Sequence, residues 1–230
     1  MPSKRAESYQ TDSGDLSPAV VVGLAVSLFG VVVLGQIELP RWIAASATRS
    51  FLTNSLSSWV LAGAIVTLVV YWERRDVASI GLELPGRRDV AVGIGAGLLA
   101  TVIGLLVTGG AVAVFDLQAP PTLSAIAELS LPVQVGIVGT AVVTEEILWR
   151  GYPIERLTEL TGNVWIGGVV SGLVFLAVHL PAWGLVGAIP QSVFTTFLVG
   201  VYVWRRNVVV TMLTHGVING LVLLVLPAML

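Results

Sequence analysis

The residues able to do chemistry in this chain sit where charge is costly. The stretch VVTEEILWRGY, residues 142–152, places Glu145 and Glu146 at the end of an apolar run, with Arg150 one helical turn later. Both histidines of the chain also lie inside apolar runs: His179 in VFLAVHL and His215 in TMLTHGVING, with Asn219 one turn beyond His215. A charged or strongly polar group at mid-membrane costs about 2.5–3.5 kcal/mol on insertion scales. Four or five of them together cost on the order of 10 kcal/mol, comparable with the stability of a whole domain. Residues at such a cost are retained where they pair or work. For one histidine alone, a structural bond between helices is an equal alternative; the convergence of several polar residues favours chemistry.

Neighbouring helical residues point about 100° apart, so Glu145 and Glu146 do different jobs. Glu146 and Arg150 form an i,i+4 pair in the favourable order and can neutralise each other. That reads as a structural ion pair and leaves Glu145 free to face a cavity, where a carboxylate suits a general base. Glu145 lies 17 residues before Gly162, the expected turn, and His179 lies 17 residues after it. Two antiparallel helical arms would return both side chains to one depth. His215 lies nine residues past Arg206, or about 13 Å into the bilayer at about 1.5 Å per residue. The depths agree if the 150–162 hairpin, with Glu155, Arg156 and Glu159, projects into the cytoplasm. Gly168, Gly172, Phe175 and His179 share one helical stripe, on which Phe175 reads as packing beside the histidine.

The elements that must hold these residues are set by composition. Of 230 residues, 55% are hydrophobic and 11% charged, and the mean hydropathy is +0.90. Soluble domains carry about 25% charged residues. With no cysteine, disulfides, thiolate metal sites and cysteine nucleophiles are excluded, and a net charge of −2 implies no nucleic-acid partner. Apolar segments near the ~20 residues needed to cross a bilayer recur at 18–37, 56–72, 90–115, 131–150, 163–180, 183–204 and 207–227. The fold expected is all-α: a polytopic transmembrane bundle of about seven spans in a cell membrane.

Residues 1–16 form a polar tail expected to be disordered, 17–129 hold three spans and an interfacial segment, and 130–230 hold the core with four spans. The stretch 119–130 reads as a loop and a short interfacial helix. AASA, at 44–47, resembles a signal-peptidase site, but the preceding apolar core is too long for a usual signal peptide, so an uncleaved span is favoured. Ten of the twelve lysines and arginines fall on one side of this topology, leaving Arg41 and Arg49 on the other. The bias predicts the N-terminus in the cytoplasm and the C-terminus outside. Trp59, Trp72, Trp165, Trp183 and Trp204 stand at segment ends, where indoles settle at the interface.

The pattern Glu145-Glu146-x-x-x-Arg150, then Phe175-x-x-x-His179, then His215-x-x-x-Asn219 resembles the CaaX protease and bacteriocin-processing (CPBP) family of intramembrane endopeptidases. Type II CaaX prenyl proteases are among its members. The resemblance covers roughly residues 130–220, and "WRGY" is similar to the family's aromatic-Arg-Gly continuation. It implies that Glu145 and His179 activate a water for attack on a scissile carbonyl, while His215 and Asn219 stabilise the oxyanion. Glu146 and Arg150 would support the fourth span and orient Glu145. It further implies a membrane-associated protein or peptide substrate, prenylated in the best-known cases. Two mechanisms stay open. Glu145, His179 and His215 make a His₂Glu set of the kind that holds catalytic zinc, although HExxH is absent; a metal-free glutamate mechanism uses the same residues.

Two other classes compete with the protease reading. Buried glutamate and histidine also serve proton-coupled transporters, but no inverted repeat or pair of broken helices is evident. A membrane scaffold or immunity protein could keep the pocket without turnover.

Overall fold

A computed structural model of the chain describes residues 16–37, 40, 42 and 46–229. The expectations for the polar tail, for Lys4, Arg5 and Arg41, and for half of the AASA stretch lie outside these residues. The helices are α1 (Pro18–Gly35), α2 (Ala47–Thr67), α3 (Arg87–Phe115), α4 (Pro121–Ala127), α5 (Leu131–Glu146), α6 (Tyr152–Thr161), α7 (Val164–Arg205), α8 (Val208–Asn219) and the short α9 (Leu226–Met229). Three π-helical turns extend them: Leu68–Trp72 after α2, Ile147–Gly151 between α5 and α6, and Gly220–Val225 after α8. Among the described residues there is no strand.

Among the described residues six helices are long and apolar enough to cross a membrane. One of them, α7, has 42 residues, about 60 Å at a rise of about 1.5 Å per residue, twice what one crossing needs. It folds back at Gly184, whose φ of 63° and ψ of −174° break the helix in a region glycine enters readily. The two arms then pack antiparallel. Gly168 lies against Val199 and Val203, and Gly172 against Thr195 and Val199, so close that a Cβ at Gly168 would stand 2.8 Å from the Val199 methyl. Among the described residues the helices thus offer seven passes, and large side chains such as Leu106, Phe115 and Leu185 remain exposed, as lipid-facing positions do.

The passes alternate between an arginine-rich end and an opposite end. α1 starts beside Trp72, Glu73 and Arg75, while α4 lies against the α7 bend, where the Thr122 hydroxyl donates to the Ala182 carbonyl. The 119–130 stretch is therefore a loop with a short helix, as its two prolines suggest. The second span begins at Ala47 rather than residue 56. Its polar first turns stay helical, with Ser57 and Ser58 hydroxyls donating to the carbonyls of Thr53 and Asn54.

The 150–162 segment departs further from expectation. It is no solvated projecting hairpin but a helical continuation through α6, with Glu155 and Arg156 buried. Partners replace the water. Arg156 donates to the Glu73 carboxylate at 2.5 Å and to the Ser79 hydroxyl at 3.1 Å. Glu155 accepts from Tyr202 at 2.8 Å and from Arg206 at 2.9 Å. The 73–86 connection is thereby fastened over α6, and the turn at Gly162, with a φ of 69°, follows where it was expected.

Candidate active site

Glu145 and Glu146 end α5, and the two carboxylates diverge as the helical phase requires. Glu146 is fully buried. Its Oε1 lies 3.2 Å from Arg150 Nη1 and accepts from His215 Nδ1 at 2.8 Å. The Arg150 guanidinium also lies 4.0 Å over the Phe175 ring, a cation–π contact that suits a desolvated cation. Asn219 Nδ2 stands 2.9 Å from His215 Nε2. With Nδ1–H given to a carboxylate, His215 Nε2 carries the lone pair and accepts one amide proton of Asn219.

Glu145 turns the other way. Its Oε2 lies 3.9 Å from His179 Nε2, and the two side chains are 20% and 17% exposed. His179 Nδ1 lies 2.7 Å from the Phe175 carbonyl; it must donate there, which leaves Nε2 as the basic nitrogen facing Glu145. The Phe175 ring packs on the imidazole at a centroid distance of 4.2 Å, and Trp149 meets both rings edge-on, at 5.3 Å from Phe175 and 6.2 Å from His179. Phe175 therefore does more than fill space: its ring carries Arg150 and its carbonyl sets the tautomer of His179. Beside His179, a shallow apolar groove along the α7 bend is lined by Leu176, Leu180, Trp183, Ala188 and Gln191.

The π turn that follows Glu146 has a local cause. In an α-helix the Tyr152 N–H would reach the Leu148 carbonyl, but it bonds to the Ile147 carbonyl instead. Pro153 comes next and has no N–H to offer, so Leu148 has no donor five residues on and Trp149 none four residues on. Two buried serines fill these places: the Ser27 hydroxyl of α1 donates to the Leu148 carbonyl, and the Ser171 hydroxyl of α7 to the Trp149 carbonyl. Sequence reasoning missed Trp149 and both serines. A signal existed for the serines, since Ser27 is the one polar side chain of α1 and Ser171 the one hydroxyl in the first four turns of α7.

Six side chains from α5, its π turn, α7 and α8 are thus gathered into two adjoining clusters, a partly open Glu145–His179 pair and a sealed Glu146–Arg150–His215 group that holds Asn219. The fold and this arrangement define a multi-pass helical membrane protein with a carboxylate–imidazole site inside the bundle. Residues 127–221 match the family described as Type II CAAX prenyl endopeptidase Rce1-like. That stretch contains every residue of the motif pattern, and over it the chain is similar to this family of intramembrane endopeptidases. The match leaves α1, α2 and α3 outside it. Neither a curated protein nor a solved structure matches the chain.

The donor set does not fit a zinc ion as arranged. Both ring nitrogens of His215 are engaged, one by Glu146 and one by Asn219, so His215 offers no lone pair to join Glu145 and His179. Among the described residues no group of three or more His, Cys, Asp or Glu side chains is disposed to hold a metal.

Proposed function

We propose that the chain is an intramembrane endopeptidase of the glutamate type, acting on membrane-associated proteins or peptides in a cell membrane. The observation that carries this reading is the Glu145–His179 pair. At 3.9 Å it is too long for a direct hydrogen bond and suited to one bridging water. Glu145 accepts one proton of that water while His179 Nε2 accepts a hydrogen bond from the other, and the water oxygen bonds to the scissile carbonyl carbon. As the tetrahedral intermediate collapses, the C–N bond breaks and the proton held by Glu145 passes to the leaving amine. The second amide proton of Asn219, left free by His215, is available to the oxyanion. His215 acts mainly by holding that amide, a narrower part than direct donation. The arginine-rich end faces the cytoplasm in this reading, as the positive charge bias favours.

The test is reconstitution of the purified chain in lipid vesicles with membrane-anchored peptides, with and without a prenylated C-terminal cysteine, read by mass spectrometry. Cleavage by the wild type that is lost in Glu145→Gln is the expected result. Cleavage of prenylated peptides alone identifies the substrate class. No cleavage by the wild type overturns the reading in favour of a non-proteolytic membrane protein.

A further inference from the structure

The carboxylates lie at the C-terminal end of α5, so their aim depends on how the helix leaves them. It leaves by a π turn, which inserts about one residue relative to an α-helix and rotates everything before it against everything after it. Such a turn inside a bilayer needs all its carbonyls bonded, because no water is there to do so. Here Pro153 removes one backbone donor and the Tyr152 N–H is diverted to Ile147. The replacements come from two different passes, Ser27 on α1 and Ser171 on α7, and both serines are buried.

α1 is shaped for this approach. Gly23, one turn before Ser27, lies under the Tyr152 phenol, where any Cβ would overlap the ring. Tyr152 in turn donates to Glu73 at 2.8 Å, so the residue after the π turn is held at the arginine-rich end as well. The same turn carries Arg150, the partner of Glu146, and Trp149, which packs against Phe175 and His179.

We propose that Ser27 and Ser171 are positioning residues of the site: by bonding the Leu148 and Trp149 carbonyls, which the diverted Tyr152 N–H and the missing N–H of Pro153 leave short of helical donors, they fix the phase at which α5 presents Glu145 to His179 and Glu146 to His215. The first pass, outside the family match, is then part of the working site. The proposal rests on the protease reading only for its kinetic consequence.

The experiment uses the full chain in lipid nanodiscs, labelled with 15N-histidine. His179 and His215 are its two histidines, and each faces one of the carboxylates. Imidazole 15N shifts at fixed pH report the hydrogen bonding of each ring without reference to turnover. Ser27→Ala and Ser171→Ala should each move the imidazole resonances and lower kcat about tenfold, with KM within about twofold. Pro153→Ala supplies one N–H, enough for one of the two carbonyls, so in that background at least one of the serine substitutions should move the resonances and kcat much less. Cysteine at either position keeps the volume with a weaker donor and should fall between serine and alanine. Serine variants that lower the melting temperature but leave the imidazole shifts and kcat unchanged would overturn the proposal. So would equal losses with and without Pro153 for both serines. If the wild type cleaves nothing, the protease reading fails while the imidazole shifts still decide the positioning role.

Discussion

Glu145 and Glu146 are neighbours in the chain, yet one sits 3.9 Å from a histidine with a fifth of its side chain exposed, and the other is sealed against Arg150 and 2.8 Å from a second histidine. Both are carboxylate–imidazole pairs at the same helix end. The difference lies in what else each carboxylate touches. Glu146 accepts from an imidazole beside a guanidinium, and the arginine is itself covered by the Phe175 face, so the group is closed off from solvent. Glu145 has no such cover. One pair is tight enough to be scaffold, and the other is loose enough to admit a reactant. The buried ion pairs at the arginine-rich end resemble the tight pair: Arg156 is held on Glu73 and Glu159, with no exposure of its side chain.

This contrast breaks first at Glu145. Glu145→Gln keeps the shape and removes the base, so turnover should fall by about 10²–10⁴-fold, while the melting temperature in detergent stays near that of the wild type. Turnover equal to the wild type in a cleavage assay would end the general-base role. Asn219→Ala should come next. Loss of one oxyanion donor lowers kcat by about 10²–10³-fold with KM little changed, as expected for a contact made in the transition state. A rise in KM alone would make Asn219 a ground-state contact instead.

Glu146→Gln sharpens the contrast from the other side. It leaves Arg150 buried without its counter-charge, and breaking a buried pair costs about 3–5 kcal/mol. The main effect should be on thermal unfolding, with a smaller loss of activity in the folded fraction. A variant as stable as the wild type but inactive would move Glu146 from scaffold to chemistry. The smallest effect is expected from metal removal: a tight chelator should leave cleavage unchanged, because His215 is committed to Glu146 and Asn219. Stoichiometric zinc in active protein, lost in both His179→Ala and His215→Ala, would replace the glutamate mechanism with a metal one.

Much of this arrangement was legible in the chain. The order of passes followed from apolar length, the turn at Gly162 from its place between periodic segments, and the Glu146–Arg150 pair from the i,i+4 spacing. The symmetric spacing of Glu145 and His179 about Gly162 anticipated that the two would meet. At 150–162 the sequence misleads, because charge there is not a sign of water. Glu155 and Arg156 are buried instead, since Glu73, Ser79, Tyr202 and Arg206, up to about 80 residues away in sequence, arrive as partners.

By itself the sequence determined that this chain is a bundle of membrane-crossing helices with a few costly polar residues in it, because hydropathy, charge bias and helical periodicity are local properties. Tertiary structure alone decided which nitrogen of each histidine is free, since that depends on the Phe175 carbonyl, the Glu146 carboxylate and the Asn219 amide. It also decided that α7 doubles back at Gly184 and that serines from two separate passes complete the turn after the glutamates. Pro153 shows in the sequence that one backbone donor is missing; only the structure shows that the Tyr152 N–H is diverted as well and which hydroxyls of α1 and α7 bond the Leu148 and Trp149 carbonyls.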